Sequence, residues 1–134
     1  MSSLLPLGRD GWGQISNQRE IEVSTLDMYC SQNEIPFIDI LKSDTQGFDV
    51  EVIKGAQGLL NARKIRLIYL EITFQELYQG IPRLDEIYRL ISDQEFELVS
   101  FYKFYYLNRL RRIGQITAVL LLSGIAGEIH TPRF

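Results

Sequence analysis

Two short apolar runs, separated by a polar turn and an amphipathic stretch, constrain the fold of this chain more than any other feature. The runs at residues 37–41 and 65–73 have the length and composition of buried strands. Between them, apolar side chains recur at intervals of four and three from Phe48 to Leu59, which predicts one helix ending near Asn61. Strand, helix and strand in this order predict a βαβ unit.

The segment before this unit and the two ends of the chain are less regular. Thr25 is a good N-cap for a helix that ends near Asn33, and residues 21–23 predict a short strand ahead of it. Residues 1–19 are rich in Gly, Ser, Asn and Gln without a period, which predicts a flexible or irregular arm. Residues 125–134 predict a frayed tail.

The residues after the βαβ unit predict a helix and a hairpin. Pro82 suits the first turn of a helix, and residues 97–107 and 115–123 predict two antiparallel strands. Residues 118–122 are apolar at every position, so we expect the last strand to be buried on both faces and central. The predicted fold is an α/β domain over residues 20–124, with a mixed sheet of about four strands flanked by helices.

The composition argues against several classes of function. The 134 residues suffice for one domain with one core, and a net charge of -3 at pH 7 leaves no basic surface for nucleic acid. The single cysteine, Cys30, cannot form an internal disulfide, and no apolar run approaches the roughly 20 residues that span a bilayer. We therefore expect a cytoplasmic protein without a nucleic-acid or membrane partner.

Segments taken in order along the chain carry a resemblance to a known family. They are residues 23–27 (VSTLD), 38–48 (IDILKSDTQGF) with 52–56 (VIKGA), and 68–71 (IYLE). They resemble the FkbM-type S-adenosylmethionine-dependent methyltransferases. In that family a Thr-Leu-Asp element leads into a strand ending Lys-any-Asp, then a glycine, a helix with a Lys/Arg-Gly-Ala step and a strand closed by Glu. The resemblance covers roughly residues 20–123.

The resemblance implies a function and a cofactor. It implies the C-terminal part of a Rossmann-like methyltransferase fold, with S-adenosylmethionine as methyl donor and a hydroxyl of a sugar or natural product as acceptor. The family's glycine-rich turn after its first strand and the acid after its second have no counterpart in this sequence. Gly8, Gly11 and Gly13 have the wrong spacing to form such a turn. We therefore expect a truncated form that binds the cofactor weakly or not at all, through residues that stay unknown.

Two carboxylates and a lysine are the candidate catalytic residues. Asp44 follows the first predicted parallel strand and Glu71 lies near the end of the second, at the sheet edge where α/β proteins bind ligands. They would orient a substrate hydroxyl, accept its proton or hold a divalent metal, and Lys42 would anchor Asp44 from the same face. Alternatively, Asp44 caps the helix that begins near Phe48, Glu71 is a solvated strand end and Lys42 an ordinary surface lysine.

The strand at Ile38–Leu41 also predicts an assembly. If the family's first strand is missing, this strand has an unpaired edge, which tends to recruit another strand. We expect a homodimer through this edge, or a separately encoded polypeptide that supplies the missing half. A non-catalytic interaction or assembly module is the alternative to an enzyme. The loop at residues 78–80 is either part of a substrate pocket or only a connection.

Overall fold

The computed structural model describes residues 3–11, 14–15, 17–107 and 112–122; Gly13 and the predicted tail lie outside these ranges. The helices and strands of the described residues are, in chain order, α1 Leu26–Gln32, β1 Ile38–Ser43, α2 Asp49–Lys54, α3 Gln57–Asn61, β2 Ile65–Thr73, α4 Leu84–Ser92, β3 Phe96–Leu107 and β4 Arg112–Leu122. None of the helices in these ranges has the length and apolar character needed to cross a membrane. The predicted α/β class is confirmed.

The strands form a mixed sheet in the order β1-β2-β4-β3. β1 and β2 are parallel, with Ile40 opposite Leu67 and Ser43 opposite Leu70, as a βαβ unit requires. β4 is antiparallel to β2 and to β3, which confirms the predicted hairpin and places β4 inside the sheet. Among the described strands, β1 pairs with β2 alone and lies at the edge.

The core lies on one face of the sheet, where all four helices pack. β2 alternates, so Ile68, Leu70 and Ile72 are buried on the helical face while Tyr69 and Glu71 on the opposite face are partly exposed. Each fully buried aliphatic side chain contributes about 1.5 to 3 kcal/mol relative to an exposed one. The helical residues in this cluster are Cys30, Ile53, Leu59, Leu60, Ile87 and Ile91.

The prediction of one helix from Phe48 to Asn61 is wrong, because two short helices occupy this segment. α2 ends at Lys54 with Gly55 as its C-cap, and α3 begins at Gln57 with a cap from another part of the chain. The Asp27 carboxylate accepts the backbone N–H groups of Gly58 at 2.7 Å and Leu59 at 2.9 Å, which are among the unpaired donors of the first helical turn. The Thr-Leu-Asp element is therefore structural and holds α1 against α3.

The segment before α1 is only partly as predicted. The predicted helix is confirmed, with Thr25 as its N-cap, since Thr25 Oγ1 accepts from the Met28 N–H at 3.1 Å, and with Asn33 at its C-cap. The predicted strand at residues 21–23 is wrong, because these residues form no ladder with any described strand and Val23 is 68% exposed. A segment without a pairing partner has no reason to become a strand.

Residues 3–11 pack along the loop that follows β2. Leu7 and Tyr78 form an isolated antiparallel bridge, and the Gly8 N–H donates to the Leu77 carbonyl at 2.9 Å. A Cβ atom at Gly8 would collide with the carbonyl of Glu76, so the close approach of the two backbones requires glycine there. These contacts bring the N-terminal segment to the carboxyl end of β2, next to the candidate site.

Candidate functional site

The candidate site is built on the sharp turn that follows β1. After Ser43 the chain turns through Gln46, with φ of 55°, and Gly47, with φ of 103°. Gly47 packs against the side chain of Ile81, where a Cβ atom would clash, so glycine is required for both its conformation and its contact. The turn therefore aims the side chains of Asp44 and Gln46 along the carboxyl edge of the sheet.

The predicted residues Asp44, Glu71 and Lys42 converge at this edge. The Gln46 amide Nε2 donates to Asp44 Oδ1 at 3.1 Å and to Glu71 Oε2 at 3.2 Å, which bridges the turn to β2. Lys42 Nζ lies 3.3 Å from Asp44 Oδ2. The alternative that Asp44 caps the next helix is not supported, because the N-cap of α2 is Phe48 and no side chain caps it. Sequence reasoning did not single out Gln46.

Burial and mutual repulsion shift the pKa values of Glu71 and Asp44 in opposite directions. Desolvation of Glu71, together with the hydrogen bond and negative charge of Asp44, raises the pKa of Glu71 to about 7. The hydrogen bond from Glu71, with those from Gln46 and Lys42, lowers the pKa of Asp44 below its ordinary value. Asp44 is therefore the ionised member, and Glu71 holds the proton up to near neutral pH.

A third carboxylate, Asp49, is buried against the turn and was not predicted from the sequence. Asp49 is 2% exposed, and its Oδ1 accepts from Ser43 Oγ and from the Thr45 N–H at 3.4 Å. Its Oδ2 accepts from the Gly47 N–H at 3.3 Å. As the first residue of α2 it resembles an ordinary helix-start acid in the sequence, although its position among polar turn residues was a usable signal.

An open cleft of about 580 Å³ lies at the carboxyl end of β2, and Lys42, Asp44, Gln46 and Glu71 are not among the residues that line it. Thr73 lines the cleft and points to the same face of β2 as Glu71, and Ile81, which packs on Gly47, forms part of the wall between cleft and turn. The 46% exposed Phe74 supplies an apolar surface. The charged lining residues are Arg9, Glu76, Arg83 and Asp85. Of the loop at residues 78–80, Gly80 lines the cleft, whereas Tyr78 is buried.

Gly8 and Gly11 do not form a cradle for a donor cofactor. Such a cradle needs glycines whose backbone a ligand can approach, whereas Gly8 and Gly11 are approached by the chain's own loop after β2. The described residues also contain no group of three His, Cys, Asp or Glu side chains arranged to hold a metal. The Lys42 ammonium beside Asp44 further disfavours a cation there.

Two comparisons with known proteins point to one family. The family model described as "Methyltransferase FkbM domain" matches residues 2–98, a range that includes the turn, both carboxylates and the segment at residues 3–11. The 2-O-methyltransferase NoeI of Sinorhizobium fredii (strain NBRC 101917 / NGR234) is 36% identical over 89 residues, which are 66% of this chain and 35% of that protein. The chain thus spans about a third of the length of this curated relative. No solved structure matches the chain.

Proposed function

The chain belongs to the FkbM methyltransferase family, and from this premise we propose that it provides the acceptor side of an O-methyl transfer site. Its fold would then be the C-terminal part of a Rossmann-like methyltransferase domain, with β1 and β2 as neighbouring parallel strands of the larger sheet. The methyl donor that the family implies is S-adenosylmethionine. Gly8 and Gly11 do not fit its cradle, so the chemistry proposed for this chain concerns the acceptor hydroxyl alone.

The bridge from Asp44 through Gln46 to Glu71 carries this proposal. A hydroxyl oxygen that accepts a methyl group loses its proton, so the site needs a base within hydrogen-bonding reach. Glu71, with a pKa near 7, is half ionised at neutral pH and is suited to take that proton. Asp44 stays ionised and orients the hydroxyl by accepting its hydrogen bond, and Lys42 stabilises the charge on Asp44.

The acceptor that this geometry favours is a neutral polyhydroxylated ring, such as a sugar or a sugar-bearing natural product. The cleft at the carboxyl end of β2 offers the exposed face of Phe74 to an apolar ring surface. The guanidinium groups of Arg9 and Arg83 can donate hydrogen bonds to sugar hydroxyls. The carboxylate oxygens of Glu76 and Asp85 can accept hydrogen bonds from them. The name of the relative, a 2-O-methyltransferase, supports an oxygen acceptor.

Ligand binding tests the proposal without requiring turnover. Saturation-transfer NMR with a panel of neutral monosaccharides and disaccharides should detect binding to the wild-type chain, weaker binding to Glu71→Gln and unchanged binding to Glu51→Gln. Glu51 is a matched control because it is exposed and paired with Lys54 on α2, away from the turn. Equal binding to all three proteins, or none to any, would count against an acceptor site at Glu71.

Cofactor binding is tested separately by calorimetry. Because the loop after β2 already approaches Gly8 and Gly11, S-adenosylmethionine should produce little or no heat with this chain, and Asp44→Ala should behave as the wild type does. Heat at micromolar cofactor concentration would contradict this expectation. If the wild type binds the cofactor with measurable heat and Asp44→Ala does not, Asp44 would belong to the cofactor site and not to the acceptor side.

We also propose an assembly role, which the position of β1 favours. β1 is the sheet edge among the described strands, and its central residue Ile40 is 64% exposed. An unpaired edge with an exposed apolar side chain favours addition of a strand, here from a second copy of the chain related by a two-fold axis. Light scattering should report a dimer at tens of micromolar and a monomer for Ile40→Lys. A monomeric wild type would refute the homodimer.

A further inference from the structure

Asp49 is a buried charged side chain that the proposed proton transfer does not use. Among the described residues it is the acidic side chain with the least exposure, at 2%. A carboxylate removed from water costs several kcal/mol unless hydrogen bonds replace its hydration, and here three donors do so. One donor is on Ser43, the last residue of β1, and the other two are in the turn between β1 and α2. These hydrogen bonds of Asp49 therefore all hold the end of β1 and the turn that follows it.

The positions of the three donors relate Asp49 directly to the site. They are Ser43 Oγ, the Thr45 N–H and the Gly47 N–H, so they alternate with the two side chains that reach Glu71. Asp44 stands between the first and second anchored residues, and Gln46 stands between the second and third. Because Asp49 holds the residues on both sides of Asp44 and of Gln46, it fixes the direction in which these two side chains point.

The backbone of the turn needs such an anchor. Gln46 has a left-handed φ of 55°, which costs a non-glycine residue roughly 1 to 3 kcal/mol and persists only when surrounding contacts over-determine it. Two backbone amides of the turn, at Thr45 and Gly47, point at the Asp49 carboxylate. Without these bonds the turn has less reason to keep the Gln46 amide between Asp44 and Glu71.

We infer that Asp49 is a positioning residue that holds Asp44 and Gln46 against Glu71 by anchoring the residues on both sides of each. It anchors Ser43 through its side chain, and Thr45 and Gly47 through their backbone N–H groups. Its consequence for methyl transfer rests on the proposed function, whereas its effect on the geometry of the site does not. Asp49 touches neither Asp44 nor Glu71 through any of these bonds, and it acts through the turn. Its negative charge also raises the pKa of Glu71, although less than burial and Asp44 do.

The ionisation of Glu71 provides a readout that a purely structural role for Asp49 would leave unchanged. The titration of the Glu71 side-chain carbon is followed by carboxyl ¹³C NMR in the folded protein and assigned with Glu71→Gln. If the turn relaxes, Asp44 and Gln46 move away, and the midpoint of Glu71 should fall by at least about half a pKa unit. The variants are Asp49→Asn, Asp49→Glu and Ser43→Ala.

Each variant separates one explanation. Asp49→Asn places an amide donor against two backbone donors, and Asp49→Glu keeps the charge while lengthening the side chain. Ser43→Ala keeps both charge and length and removes one bond. A geometric role predicts a lower Glu71 midpoint in all three, with the smallest change in Ser43→Ala. A role of charge alone predicts no change in Asp49→Glu or Ser43→Ala, and that result would overturn the inference.

Two controls keep the test decisive. Glu51→Gln removes an exposed charge from α2 without touching the turn, and it should leave the Glu71 midpoint unchanged. If Asp49→Asn fails to fold, Ser43→Ala decides, because it perturbs the turn least. Sugar binding that is insensitive to Glu71→Gln would refute the proposed function while leaving the positioning role standing, so the two failures are distinguishable.

Discussion

The raised pKa of Glu71 makes stability depend on pH in a direction that the structure fixes. In the folded chain Glu71 keeps its proton up to about pH 7, whereas in the unfolded chain it loses it near 4.5. Between these values the folded state binds more protons, so stability is fully present below pH 4.5 and falls as the pH rises through 7. Replacing Glu71 by Gln removes this loss.

The size of the effect follows from the shift and from the exposure of the group. A pKa shift of one unit corresponds to about 1.4 kcal/mol, which gives an upper bound of roughly 3 kcal/mol for the whole shift. Because Glu71 is more exposed than buried, solvent screening reduces this bound to about 1 kcal/mol. We expect the wild type to lose about 1 kcal/mol more than Glu71→Gln between pH 4.5 and pH 7.5.

Urea unfolding of both proteins at a series of pH values measures this difference. Groups that do not interact with Glu71 titrate alike in both proteins and cancel when the two pH profiles are subtracted, and Asp44, whose pKa is lowered, stays ionised in the folded state over this range. Asp44→Asn should flatten the profile partly, because it removes the neighbouring charge but leaves the desolvation of Glu71. Parallel profiles for the wild type and Glu71→Gln would show that Glu71 titrates alike in both states and would refute the reasoning.

Three further predictions concern the framework of the site, each measured by urea unfolding. Asp27→Ala should cost about 1 to 2 kcal/mol by removing the cap of α3, and a loss below about 0.5 kcal/mol would contradict that role. Gly8→Ala should destabilise the chain by forcing residues 3–11 away from Glu76, whereas Gly80→Ala, where no atom stands near the new Cβ, should cost less despite its positive φ. Ile53→Ala should cost about 2 to 5 kcal/mol as a cavity in the core, and an equal loss from the exposed Val99→Ala would argue against the assigned core.

Much of the fold was readable from the sequence because strong local signals agreed with the tertiary structure. The apolar run at residues 65–73 has the same bounds as β2, and Thr25 caps α1 as its residue type predicts. The break between α2 and α3 was not readable, because the apolar period continues through it. That break depends on Asp27, a carboxylate about 30 residues earlier in the chain, and a distant cap leaves no local pattern.

The sequence predicted which carboxylates meet in the candidate site, but it did not predict the hydrogen bonds that hold them in place. Asp44 and Glu71 were predicted to converge because parallel strands end at the same edge of a sheet, and the structure brings them together. Asp49 was missed because acids are common at helix starts for reasons of charge alone. Its three bonds depend on the conformation of the turn, which positive φ values at Gln46 and Gly47 create and which sequence periodicity does not encode.

Gln46 determines what kind of site these carboxylates form. Its amide donates to both carboxyl groups. A glutamate there would offer acceptors only, add a third negative charge and favour a metal ion or a further proton. A neutral donor instead lets the pair share one proton, with Asp44 ionised and Glu71 near its midpoint at neutral pH. A pair in that state can both accept a hydrogen bond from a hydroxyl and take its proton, and this combination follows from one amide.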